Sequence, residues 1–176
     1  MKILLGVSAS IAIYKSCEIV RLLKKNGINV TIIMTPTASG WISPVVFSAL
    51  SENRVYVYDT DHNEAMAHIN LRNDKDLFLI APASANVISQ AANGMSQTLL
   101  STLLLSFPGP RWIAPAMNPV MYNHPAVQRN LLMLKDYHYR ILSPDTGESL
   151  CGDTGEGKMA AVDYIVSQVL ELKKNG

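Results

Sequence analysis

Cysteine is scarce in this chain, with only Cys17 and Cys151 in 176 residues, which excludes a disulfide framework and leaves each thiol needing its own explanation. Charge of one sign is missing too. Fifteen basic residues stand against 14 acidic ones, with no basic cluster, so there is no electrostatic footprint for nucleic acid. No apolar run is long and uninterrupted enough to span a bilayer, and the chain opens on the strand-like Ile3-Leu4-Leu5 without a signal-peptide layout. The expectation is a cytosolic protein without membrane partners. Neither GxGxxG nor GxxxxGK[ST] occurs, which removes the dinucleotide fingerprint and the triphosphate loop. His62, His124 and His138 have no metal-ligand spacing with the cysteines, so no zinc site is expected. Internal repeats and linkers are also absent.

What is present is a composition of 48% hydrophobic and 16% charged residues, which suits one compact domain over 1–176. Short apolar runs alternate with helical patterns. Residues 2–7 read as a strand, followed by an amphipathic helix through about Lys25 that stops at Asn26-Gly27. Val30 to Met34 is a second strand, and a helix is expected from Ala38 to Leu50 with a disturbance at Pro44. Val55-Tyr56-Val57 reads as a short strand, and Asp59 to Glu64 as polar and mobile. Leu77 to Ala81 is almost wholly apolar, as a parallel strand covered on both faces must be. Helices over 84–92 and 96–106, a strand at 112–114, a helix over 125–136, a strand over 139–142 and a closing helix over 161–174 complete the pattern. This βαβα order predicts a doubly wound α/β domain with a parallel sheet flanked by helices.

In such folds ligands bind outside the carboxyl ends of the strands. The loops there carry small residues and hydroxyls: Ala9 and Ser10 after the first strand, Thr35 and Thr37 after the second, Ser84, Ala85 and Asn86 after the apolar strand. Backbone N–H groups and hydroxyls at helix starts can hold a phosphate, and a mononucleotide such as FMN suits them. Ordinary helix capping explains any one of these loops equally well. His68, in Ala67-His68-Ile69-Asn70-Leu71-Arg72, is either a proton acceptor or a solvated structural side chain. Asn118, in Pro115-Ala116-Met117-Asn118-Pro119-Val120-Met121, can receive a carboxylate next to an amide, or can cap a proline turn with the methionines packed inside. Cys151 sits in Leu150-Cys151-Gly152-Asp153-Thr154-Gly155-Glu156-Gly157, where three glycines in six residues point to close backbone approach or movement over a site.

Gly6-Val7-Ser8-Ala9-Ser10, the His68-Ile69-Asn70-Leu71 block leading into Ile80-Ala81-Pro82-Ala83-Ser84-Ala85-Asn86, the run Leu99 to Leu105, Pro115-Ala116-Met117-Asn118 and Cys151-Gly152-Asp153 together resemble the flavin-dependent cysteine decarboxylases. The resemblance covers nearly the whole chain. It implies a flavodoxin-like fold that binds FMN and assembles into trimers or multiples of trimers, with flavin and substrate near subunit interfaces. It further implies that Ala9, Ser10, Ile11, Thr35, Thr37, Ser84, Ala85, Asn86 and Ala116 line the flavin. His68 is then catalytic, Asn118 and Met121 belong to the substrate motif, and Cys151 serves a final reduction. Tyr122 stands where a tryptophan is common and Leu150 where alanine is usual, departures that bear on substrate fit rather than reaction type.

The implied chemistry is coherent. A cysteine carboxylate joined through an amide has no neighbouring carbonyl to accept the electron pair released with carbon dioxide. Oxidation of the thiol-bearing carbon to a thioaldehyde makes that sink, flavin holding the electrons. Decarboxylation then gives an ene-thiol. The branch acting on phosphopantothenoylcysteine in coenzyme A biosynthesis returns the electrons and gives phosphopantetheine, a step that uses the cysteine matched by Cys151. The branch acting on lantibiotic precursor peptides stops at the ene-thiol and lacks that cysteine, so Cys151 favours the small-molecule branch. Relatives that inhibit a protein phosphatase carry acidic tails, unlike Lys173-Lys174-Asn175-Gly176 here, and the more distant flavin prenyltransferases have no use for Asn118 or Cys151. Where the decarboxylase is fused to the phosphopantothenate–cysteine ligase, the fusion is longer than 176 residues, so the ligase is expected as a separate chain or a missing domain.

Overall fold

The structure is a computed structural model and describes residues 1–59, 66–148, 152 and 154–175. Six strands form one wholly parallel sheet: β1 (Lys2–Val7), β2 (Asn29–Met34), β3 (Val55–Tyr56), β4 (Leu77–Ala83), β5 (Arg111–Pro115) and β6 (Tyr139–Ile141), in the order β3-β2-β1-β4-β5-β6. The order reverses between β1 and β4. That is the switch point at which doubly wound sheets open a crevice. The expected flavodoxin-like α/β architecture is what the chain adopts.

Strand alternation explains the two-sided burial. Ile3, Leu5 and Val7 of β1, with Val30, Ile32 and Met34 of β2, join one core that also takes in Ile19, Val20 and Leu23 of α1 (Ile13–Lys25) and Ile165 and Val169 of α9 (Val162–Asn175). Leu4, Ile33, Phe78 and Ile80 point to the other face, against α4 (Ala67–Arg72), α5 (Ala85–Ala92), α6 (Leu99–Ser106) and α8 (Pro125–Asp136). A period of two with both faces apolar is what a sheet covered by helices on each side requires. Gly6 leaves room for this packing, since a Cβ there would stand 3.1 Å from Leu100 Cδ1 and 3.2 Å from Phe78 Cε2.

Four expectations need correction. The single helix over 38–50 is two, α2 (Pro36–Trp41) and α3 (Pro44–Ser51), because Ser43 turns extended and caps Val45 N–H while Pro44 fills the first helical position. The helix expected from 96 starts at Leu99, where Thr98 and Ser101 form a reciprocal capping box. The glycine-rich C-terminal loop is largely an antiparallel hairpin, β7 (Asp145–Glu148) with β8 (Thr154–Lys158). Asp59, expected in a mobile stretch, is held by His68; residues 60–64 lie outside the described residues. Among the described residues no helix is long and apolar enough to cross a membrane.

Candidate functional site

The loops at the carboxyl edge are joined by hydrogen bonds that run from one strand end to the next. Thr35 N–H after β2 donates to Val7 O (3.0 Å). Ser8 Oγ after β1 donates to Pro82 O (2.8 Å) and accepts from Ser84 N–H (2.8 Å) after β4. Ala116 N–H after β5 donates to Ala83 O (3.0 Å), and Met117 N–H donates to Gly157 O of β8 (2.9 Å). Thus Thr35, Ser84, Ala116 and the loop of Asn118 share one continuous row. Ser8, buried to 1% exposure, is its central tie, a role no local pattern announces.

Within that row the hydroxyls also have local duties. Thr35 Oγ1 accepts from Ala38 N–H (3.2 Å) and caps α2; Ser84 Oγ accepts from Val87 N–H (3.5 Å) and caps α5; Ser10 Oγ accepts from Ala12 N–H (3.4 Å). A capping hydroxyl uses lone pairs and keeps its own hydrogen to donate. α1 opens at Ala12 without a side-chain cap of its own; Ile13 N–H donates to Ser10 O (2.9 Å) and Lys15 N–H to Ala12 O (3.0 Å), and the 63%-exposed Ile11 stands beside Ser10. Thr37 and Asn86 are exposed in the first turns of α2 and α5, Ala9 and Ala85 are half-buried, and Ala116 is buried. Hydroxyl donors among small side chains fit a flavin mononucleotide: an anion for the hydroxyls, a flat ring for the alanines.

The residues expected on the substrate side are positioned differently. Asn118 caps α7 (Pro119–Tyr122): its Oδ1 accepts from Val120 N–H (2.7 Å) and Met121 N–H (3.4 Å). The turn-capping role therefore holds. Met117 packs partly against the core, whereas Met121 is 49% exposed at the rim. β8 crosses this loop closely. A Cβ on Gly157, at φ 140°, would lie 2.6 Å from Met117 O, so glycine is required there. Burial and then Glu156 push the Tyr122 phenol upward, which keeps it neutral at the mouth of the loop. Lys15 in the first turn of α1 is lowered by burial and by Lys158 of β8. Cys151, in the connection between β7 and β8, lies outside the described residues.

His68 is on α4 at the same edge but in a separate segment, and its ring nitrogen Nδ1 stands 3.1 Å from Asp59 Oδ1. Asp59 carries no local signal of this pairing, because eight residues without a recognisable motif separate it from His68. Cys17, the other thiol, is half-buried on α1, and burial pushes its pKa up. It has no part in the row.

Comparison with known proteins follows the same outline. The Flavoprotein family profile matches residues 1–174. The chain belongs to the Flavoprotein family. This flavoprotein is 39% identical over 174 residues to the probable phosphopantothenoylcysteine decarboxylase of Streptococcus mutans, covering 97% of each chain. Among solved structures it is similar to a PPC decarboxylase mutant complexed with pantothenoylaminoethenethiol, at TM-score 0.87 and 27% identity over 98% of each chain. It is also similar to the FMN-binding protein AtHal3, at TM-score 0.85 and 28% identity over 99% of this chain and 97% of that one. The flavoprotein spans only 41% of the bifunctional coenzyme A biosynthesis protein CoaBC of Bacillus subtilis, to which it is 42% identical over 166 residues.

Proposed function

We propose that this flavoprotein is a phosphopantothenoylcysteine decarboxylase, which converts 4'-phosphopantothenoylcysteine into 4'-phosphopantetheine and carbon dioxide. The supporting observation is the seating of β8 on the Asn118 loop, because with the Ala116–Ala83 bond it joins that loop to the row formed by Thr35, Ser8 and Ser84. Similarity to a decarboxylase over the full length of both chains supports the same reading.

Ala9, Ser10, Ile11, Thr35, Thr37, Ser84, Ala85, Asn86 and Ala116 would hold the cofactor. Bound FMN would supply the two-electron redox chemistry at the thiol-bearing carbon. His68 accepts the thiol proton at Nε2. Asn118 Nδ2 orients the substrate carboxylate without adding charge, so decarboxylation into the C=S bond is not opposed by a salt bridge that would stabilise the carboxylate. Met121 covers the apolar arm of the substrate. Cys151 donates a proton to the ene-thiol carbon while the electron pair returns. The oligomer is a trimer or a multiple of trimers, supported by the exposed Ile11, Trp41, Val45 and Val120 around this edge. Its substrate comes from a phosphopantothenate–cysteine ligase, on a separate chain or a further domain, in the cytosol.

The test compares holoenzyme turnover of phosphopantothenoylcysteine with that of a peptide ending in cysteine, following carbon dioxide and product mass. Preference for the small molecule is expected; preference for the peptide would replace this reading with the peptidyl-cysteine one. For Cys151→Ser, carbon dioxide release continues and the product lacks two hydrogens relative to phosphopantetheine. Normal phosphopantetheine formation by that variant would remove Cys151 from the mechanism.

A further inference from the structure

We propose that Asp59 is the positioning residue for His68: one carboxylate oxygen fixes both the backbone and the ring of the proton acceptor, and sets which ring nitrogen faces the substrate. The proposal rests on His68 being that acceptor. Its geometric basis is a double contact. Asp59 Oδ1 accepts from His68 main-chain N–H at 3.3 Å and stands 3.1 Å from His68 Nδ1. The first contact is made across nine residues at the start of the six-residue α4, whose own N-cap residue, Met66, provides no side-chain cap. Met66 is held at φ 61°, ψ 40°, a left-handed conformation unusual for a side chain of its kind, immediately before the turn that presents the imidazole. Backbone strain two residues from a reactive ring persists only where surrounding contacts determine the local path, and Asp59 supplies two of them.

The chemical consequence follows from donor and acceptor types. An ionised carboxylate can only accept, so Nδ1 carries the hydrogen and Nε2 retains its lone pair. An unheld neutral imidazole favours the opposite tautomer, with hydrogen on Nε2 and no base at that atom. When the substrate thiol yields its proton to Nε2, the Nδ1 hydrogen stays where it is and the imidazolium faces the Asp59 carboxylate. No proton passes to Asp59. The His68 side chain is 24% exposed and that of Asp59 48%, so their mutual attraction adds little to folding stability. The function of the pair is orientation.

The test uses the holoenzyme with Asp59→Ala and Asp59→Asn, alongside His68→Asn. For Asp59→Ala, kcat is expected to fall by about 10- to 100-fold, as when a carboxylate holding a functional histidine is removed, with KM and flavin absorbance unchanged. Nitrogen NMR of histidine-labelled protein should show Nε2 unprotonated in the wild type and the tautomer inverted in Asp59→Ala. Asp59→Asn, whose amide oxygen still accepts from Nδ1–H, should retain the wild-type tautomer and lose less activity. Wild-type kcat in Asp59→Ala beside an inactive His68→Asn overturns the positioning role alone. Loss of flavin in proportion to loss of activity in Asp59→Ala reduces Asp59 to a helix cap and overturns it as well. Full turnover in His68→Asn instead removes the underlying assignment of His68.

Discussion

The flavin side and the substrate side of this edge are built by opposite means. On the flavin side, the Ser10, Thr35 and Ser84 hydroxyls each accept from an N–H within three residues, and the loops are then joined through Ser8 and main-chain bonds between neighbouring strands. On the proposed substrate side, the residues depend on partners beyond their own helix turn: His68 on Asp59, nine positions back, and the Asn118 loop on β8 through Met117 and Gly157. Local satisfaction gives a pocket that survives substitution elsewhere. Distant satisfaction gives side chains whose aim can be lost without loss of the fold.

Separating the two sides experimentally should begin with the largest effect. His68→Asn is expected to lower kcat by about 10²- to 10⁴-fold, the usual contribution of a general acid–base group, while the protein stays yellow. Carbon dioxide release against flavin absorbance measures the split, and equal loss of both would merge the two sides. Next, Gly157→Ala forces a Cβ to within 2.6 Å of Met117 O and must displace β8 or the Asn118 loop. A misplacement of about an ångström costs on the order of 100-fold in turnover. Flavin content should hold, and a normal rate would show that the hairpin seat is dispensable.

On the flavin side the signature reverses. Ser8→Ala removes two hydrogen bonds of a buried hydroxyl and strands Ser84 N–H, at a cost of about 2 kcal/mol. Thermal unfolding should shift down by roughly 4–8 °C, with weaker flavin retention. A variant with full flavin affinity would show that Ser8 does not organise the cofactor loops. The smallest effect belongs to the other thiol. Because burial raises the Cys17 pKa and the residue lies outside the row, Cys17→Ala should leave product identity unchanged and alter stability by about 1 kcal/mol or less. An ene-thiol product from this variant would reassign the reduction away from Cys151.

The same contrast explains what could be read from the residues alone. The sheet was legible because Ile3-Leu4-Leu5 and Leu77 to Ile80 are apolar on both alternating faces, a pattern that burial imposes directly. Capping hydroxyls were legible for the same reason: the signal lies within three or four residues. The Ser43-Pro44 pair was a readable start signal for α3 that a longer amphipathic reading overran. β7 and β8 escaped because Asp145-Thr146-Gly147-Glu148 and Thr154-Gly155-Glu156-Gly157-Lys158 have no apolar periodicity. Their strand geometry comes from mutual register and from the loop beneath, not from a buried face. α4 escaped because it is six residues long and one of its start signals, Asp59, lies nine residues upstream.

The Ser8 tie has a kinetic side. Its two partners, Pro82 and Ser84, lie 74 and 76 residues away in sequence, so the edge between β1 and β4 exists only after the chain has closed that long loop. Contacts at such separation are slow to form and come with most of the topology already in place. Flavin uptake during refolding, read from the change in flavin fluorescence on binding, is therefore expected to follow the pairing of β1 with β4, when the two halves of the sheet become one.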